Sequence, residues 1–344
     1  MTAQKFQRQT ICKDFPYKLA HKQGQKSLDK RAPILYSNTM RKLPLLFLLF
    51  WLVACAPAPA IKPAAVVDLT DRQPLPTPAL RETPLRVAVA AVISPKGTVE
   101  SYAELLQYLG EKTGRPIELV QRRIYMEVNN LIEQGEVDLA FVCTSAYIVG
   151  VDDFGMDLLT APQVNGETIY RSYLIVPVDS QARDMADLQN KVFAFTDPIS
   201  LTGRAYPTSL VQQLGATPEE FFSRIFFTYS HDEAIYAVAN GLADGAGVDS
   251  LIYYYALARD PSLGERLKVI HQSPPFGIPP VVVNPELRPQ TKAELQAILL
   301  EMHTDPAGQQ ALAAIGVDKF VTIEDSVYEP VRALMGEFFF GPNP

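Results

Sequence analysis

From residue 85 onward, short valine-rich apolar runs alternate with segments whose apolar residues recur at helical spacing. That alternation constrains the chain more than any other feature. Residues 85–93 read as a strand, and Tyr102, Leu105, Leu106 and Leu109 mark a helix ending at Gly110 or at Thr113-Gly114. Strands follow over 117–120 and 137–142, around a helix over 126–134 with Gly135 behind it. A βαβαβ order with short connections predicts a parallel sheet covered on both faces. The rest continues in kind, with a long strand over 169–178, strands over 192–195, 225–228 and 267–271, and helices over 205–214, 232–240 and 251–258. Residues 279–283 bring the chain back, and helices over 292–303, 306–315 and 325–338 close it. The expectation is an α/β protein of two lobes, 85–177 with 279–344 and 178–278, joined by crossovers near 176–182 and 272–280. A cleft should lie at the carboxyl ends of both sheets. A two-domain enzyme would satisfy the same pattern, so the loops must decide.

The N-terminal part has a different character. Met40-Arg41-Lys42 precedes an almost wholly apolar run over 43–53, then Ala54-Cys55. This is the charged, apolar and small-residue order of a secretory signal, too short for a confident membrane span. Leu52-Val53-Ala54-Cys55 also has the form of a bacterial lipobox, which makes Cys55 the expected lipidation site and 40–54 the signal. Residues 1–39 are then an upstream extension, with Met40 as the expected start. Seven prolines between Pro57 and Pro84 preclude regular helix or sheet, so 55–84 reads as an extended tether.

Charge and metal-ligand counts narrow the function. The net charge is −7; residues 1–54 contribute +8, so the rest carries −15. An acidic body argues against nucleic acid as a partner, since that requires clustered basic charge. Cys12, Cys55 and Cys143 are far apart, and His21, His231, His271 and His303 are scattered, so no metal motif or disulfide framework is present. No cofactor is expected.

Loops that follow strands carry the candidate chemistry. In Thr196-Asp197-Pro198-Ile199-Ser200-Leu201-Thr202-Gly203, two alternating hydroxyl residues and a glycine stand before a helix. Helix N-termini offer unpaired N–H groups and a positive dipole end, so this segment can cradle an anion, or Ser200 and Thr202 can simply cap the helix. His231 opens the next helix and could donate to an oxyanion or lie solvated. Asp249, after the small residues Gly245-Ala246-Gly247, could cap a helix or take a proton or an amine from a ligand. On the first lobe, Thr144-Ser145-Ala146-Tyr147 occupies the matching strand-to-helix loop, and Tyr125 begins a helix; either tyrosine could be mere packing.

Several segments together resemble the phosphate/phosphite/phosphonate-binding receptors of ABC transporters. They are 137–141 with Ser145-Ala146-Tyr147, Asp197-Pro198 with Ser200, Thr202, Gly203 and Pro207, 230–234 with 237–241, 246–249, and Ser273-Pro274-Pro275 with Pro279. The resemblance spans about 85–338 and implies a type II periplasmic-binding fold whose cleft closes on a phosphorus oxyanion. By the match, Ser200, Thr202 and Gly203 hold the oxyanion, His231 donates to it, and Tyr125, Tyr147 and Asp249 frame its substituent. Leu201 departs from the pattern by removing a hydroxyl, and Arg204 stands where an apolar residue is common.

The expected function is therefore that of a lipid-anchored, monomeric receptor serving the transmembrane subunits of an ABC permease. A sensor domain acting on a separate signalling partner is the alternative. A hydrolase using Ser200, His231 and Asp249 would need those groups in mutual hydrogen-bond reach, and no GxSxG elbow supports it.

Overall fold

The structure, a computed structural model, describes residues 83–340. The expected signal, Cys55 and most of the tether lie outside the described residues. The chain divides between Pro74 and Leu75, and everything described belongs to the second unit.

The first lobe opens with β1 (Leu85–Val89), α1 (Pro95–Thr113), β2 (Ile117–Gln121), α2 (Tyr125–Glu133), β3 (Leu139–Phe141), α3 (Thr144–Phe154) and β4 (Asp157–Gln163). Val87 pairs in parallel with Leu119 of β2 on one side and with Leu139 of β3 on the other. Leu85, Val87 and Val89 pack into one apolar cluster, while Ala88 and Ala90 pack into another on the opposite face. Both faces of the strand are thus covered, which is why its sequence is apolar throughout rather than alternating with polar residues. Gly114, at φ 63°, ends α1 in the left-handed region that glycine tolerates.

Next come β5 (Ile169–Tyr170), β6 (Ser172–Pro177), β7 (Val192–Phe195), a π-helical turn Leu201–Ala205, α4 (Tyr206–Gln213), α5 (Pro218–Phe221), β8 (Arg224–Phe227), α6 (His231–Ala239), β9 (Gly245–Asp249), α7 (Ser250–Arg259), α8 (Leu263–Arg266) and β10 (Leu267–Gln272). The chain returns through β11 (Phe276–Gly277), β12 (Val281–Val283), α9 (Pro289–Glu301), α10 (Pro306–Ala314) and β13 (Lys319–Val321), and closes with α11 (Glu329–Phe340). A six-stranded sheet has the order β13-β4-β12-β3-β1-β2, and a five-stranded sheet the order β10-β6-β9-β7-β8. Their non-sequential orders place strand ends and the following helix N-termini of both lobes against one another.

Three expectations need correction. The strand expected over 169–178 is two strands, and β6 already belongs to the second sheet, so the first crossover precedes Ser172 instead of falling at 176–182. The cause is a separate ribbon in which Tyr170 pairs with Phe276 and Ile169 with Gly277, binding the two crossovers to each other. Strands β4 and β13 were not expected; β4 contains Pro162 and mixes polar with apolar residues, so it shows no strand period. Finally, Thr144 to Tyr147 form the first turn of α3 and not a loop.

Candidate functional site

Five helix N-termini meet between the lobes. The Asp197 carboxylate of the second lobe accepts from the Tyr125 N–H at the start of α2 (3.0 Å) and from the Ile199 N–H (2.9 Å). The His231 N–H at the start of α6 donates to the Val92 carbonyl of the first lobe (2.9 Å). The Ser94 N–H, just before α1, donates to Asp232 (2.8 Å), and the Ser145 hydroxyl of α3 donates to the Ile199 carbonyl. The N-terminal end of a helix carries partial positive charge and N–H donors, and the Asp197 and Asp232 carboxyls already take up part of both here.

His231 occupies its centre. It is 1% exposed, and burial lowers its pKa to about 3, so the ring is neutral at physiological pH. Its Nδ1 accepts the Asp249 backbone N–H at 3.0 Å, which puts the ring proton on Nε2. That nitrogen lies 3.5 Å from Ser200 Oγ, a distance too long for a good hydrogen bond, leaving a donor for a third group. Ser200 itself caps the π-helical turn, accepting from the Gly203 N–H at 3.1 Å. Capping and ligand contact are compatible here, because a hydroxyl that accepts through one lone pair still has its proton to give.

Hydroxyls without partners define the lining. Tyr125 Oη, Thr196 Oγ1, Thr202 Oγ1 and Ser230 Oγ are buried with no hydrogen-bond partner, and Tyr170 Oη, also buried, has the Thr144 side chain beside it. Burial pushes both tyrosines far above their ordinary pKa, with Cys143 and Asp249 close enough to both to add to the rise. Buried polar groups are nearly always satisfied, so several orphans in one junction point to a ligand that accepts hydrogen bonds. Asp249 is fully buried; burial raises its pKa to about 7, opposed by the Leu251 and Ile252 N–H groups, the first donating to Oδ1 at 2.7 Å.

Gly203 is held in place by contact. A Cβ there would sit 1.8 Å from Thr196 Oγ1, so the loop cannot accept a larger residue without moving. Gly203→Ala is expected to weaken oxyanion binding at least tenfold and to destabilise the fold by about 1–3 kcal/mol, as read by calorimetry and thermal melting. Unchanged binding would show that the turn does not touch the ligand.

Tyr125, Ser200, Thr202, Gly203, His231 and Asp249 are thus brought together. Tyr147 is not: its hydroxyl donates to Asp325 at 2.6 Å, and its ring lies 4.9 Å from that of Tyr328. Leu201 is fully buried in the apolar cluster that also holds Tyr125, and Arg204 lies over Phe227 (5.1 Å) while donating to the Pro198 carbonyl. Tyr170 was missed by sequence reasoning. It stands in the crossover ribbon, where a two-residue strand leaves no local signal.

Two α/β lobes meeting at a buried junction of helix N-termini and hydroxyl groups have the architecture of a solute-binding protein. The chain matches the model of the periplasmic substrate-binding proteins of phosphonate ABC transporters over residues 87–328, and it belongs to that family. The phosphate-import protein PhnD of Mycolicibacterium smegmatis is 28% identical over 212 residues, covering 58% of this chain and 66% of that protein, just under two thirds of its length. In fold, the chain is similar to the binding-protein component of an ABC phosphonate transporter from Pseudomonas aeruginosa (TM-score 0.70, 22% identity, covering 74% of this chain and 86% of that one). It is also similar to PhnD1 from Prochlorococcus marinus in complex with methylphosphonate (TM-score 0.67, 16% identity, covering 75% and 98%). The type II periplasmic-binding fold and the family expected from the sequence are both borne out.

Proposed function

We propose that this protein captures a phosphorus oxyanion (phosphonate, phosphite or phosphate) by hinge closure between its lobes and delivers it to the transmembrane subunits of an ABC permease. The observation that carries this reading is the set of orphaned hydroxyls around the neutral His231 Nε2–H. A tetrahedral oxyanion offers several acceptor oxygens at once, and hydrogen bonds to an ionised acceptor are about twice as strong as neutral ones. Helix N-termini supply the compensating positive potential. Membership of a transport family supports this receptor over a sensor domain acting on a signalling partner. The family relatives named for phosphate import and solved with methylphosphonate bracket the ligand class.

The same geometry speaks against hydrolysis. In a triad the carboxylate receives the histidine Nδ1–H, whereas here Nδ1 is an acceptor and Nε2 holds the proton, so the ring cannot take one from Ser200. Thermal melting of the full chain with phosphate, phosphite, methylphosphonate and sulfate tests the proposal. A ligand present at 100 times its Kd adds about 2.7 kcal/mol of apparent stability. A stabilisation by sulfate equal to that by the best phosphorus oxyanion would sink the specificity, and no response to any of them would sink the reading.

The protein is proposed to work as a monomer on the extracytoplasmic face, held by lipid on Cys55. Cys55→Ser should move it from the membrane fraction to the soluble fraction with ligand affinity unchanged. Retention in the membrane would place the anchor elsewhere.

A further inference from the structure

A cavity of about 440 Å³ lies between the lobes beside the junction, walled by α1 on one side and α7 on the other. It shares one residue, Asp249, with the proposed oxyanion site and borders it at two others. Asp249 lines it; Val142, next to Cys143, lines it; and so does Val92, whose carbonyl receives the His231 N–H. Away from the junction its walls are apolar side chains and tyrosine rings, among them Ile252, Tyr102 and Tyr255. At its outer end Arg259 is stacked over the Tyr255 ring at 4.1 Å. A water occupies about 30 Å³ of liquid, so the space equals roughly fifteen waters. That is far more than a bare oxyanion or its methyl derivative fills.

The chemistry of the wall limits what can enter. The one carboxyl shared with the junction, Asp249, already accepts the Leu251 N–H. Burial drives it toward the uncharged form, so it makes a poor counter-ion for an ammonium group. Apolar walls around a fixed polar end are the usual form of a small-molecule pocket, in which the polar groups orient and the walls supply affinity.

We propose that the flanking cavity receives an apolar organic arm on the bound oxyanion, so that the preferred ligands are alkyl- or arylphosphonates of several carbons, and aminoalkylphosphonates are disfavoured. This rests on the reading of the junction as the oxyanion site.

Calorimetry of the full chain with methyl-, propyl-, hexyl- and phenylphosphonate tests it, with 3-aminopropylphosphonate as the charged comparison. Affinity should rise up to about fourfold per added methylene, the free energy of burying one CH₂ expressed as a ratio. The aminopropyl compound should bind more weakly than propylphosphonate. In Ile252→Trp, which fills the cavity, the hexyl-to-methyl affinity ratio should collapse to one or below. If methylphosphonate binds to the wild type but affinity stays flat or falls with length, or the amine binds tighter, the cavity inference is overturned and the oxyanion site stands. If no phosphonate, phosphite or phosphate binds, both are overturned.

Discussion

In a Tyr125→Phe/Tyr170→Phe double variant, affinity for the phosphorus oxyanion is expected to fall more than a hundredfold while the ligand-free protein melts at a higher temperature than the wild type. The opposite signs come from one cause. The Tyr125 hydroxyl is buried without a partner and that of Tyr170 has only the Thr144 side chain beside it, and leaving such a group unsatisfied costs about 1–3 kcal/mol. Phenylalanine keeps the ring that packs in the apolar cluster shared by both residues and removes the unsatisfied group, so the empty protein gains. In the complex each hydroxyl would donate to a charged oxygen, worth about 1.5–3 kcal/mol, and two such losses exceed two decades in Kd. Isothermal and scanning calorimetry on the same samples read both effects. A variant that loses stability and keeps affinity would show the tyrosines to be packing residues.

Asp249→Asn is expected to stabilise the protein at pH 8 and to flatten the dependence of stability on pH between 4 and 6. A carboxyl whose pKa rises from 3.8 to about 7 on folding binds a proton in the native state that the unfolded chain has lost. Its contribution is therefore fully present below pH 3.8 and is lost as pH rises through 7. Asp197, raised by burial to about 6, behaves the same way over a narrower window. His231 has the opposite sign, because its pKa is lowered to about 3; its contribution is present above pH 6.5 and lost as pH falls toward 3. Between pH 4 and 6 the two carboxyls outweigh the histidine by one proton, so the wild type should become slightly more stable on mild acidification. The asparagine variant leaves one carboxyl against one histidine, and its curve should be flat there. At pH 8 the gain is bounded by about 4 kcal/mol, three pKa units at 1.36 kcal/mol each, and asparagine can still accept the Leu251 N–H. Melting curves from pH 4 to 8 decide it. A variant less stable than wild type at pH 8 would mean that the charged carboxylate is held by stronger partners than the two backbone N–H groups.

The parts of this site that the sequence made legible are those whose chemistry is local. Ser200, Thr202 and Gly203 stand within four positions of one another directly after β7, and His231 and Asp249 each flank a helix start, so loop position and residue type were enough to single them out. Tyr170 could not be found in that way. Its place depends on pairing with Phe276, more than a hundred residues away, and on a ribbon of two residues per strand. Tyr147 failed for the converse reason. Its neighbours in sequence place it near the cleft, while a carboxylate 178 positions later, Asp325, takes its hydroxyl. Likewise, the long apolar run over 169–178 concealed the division at Arg171, because hydrophobicity records burial and not which of two sheets provides it.

The ribbon that ties the two crossovers together also carries Tyr170, whose buried hydroxyl lies near Asp249 and Cys143. If Tyr170 contacts the ligand as proposed, a side chain that recognises cargo is mounted on the crossovers themselves. In a receptor whose open and closed forms differ by a few kcal/mol, the empty closed fraction is fixed by that gap, and ligand shifts it only through differential affinity. A substitution at Tyr170 alters recognition and the resting gap together. Evolution toward a new cargo through this position would thus also reset how often empty receptors dock on the transporter, coupling dietary range to idle traffic at the membrane.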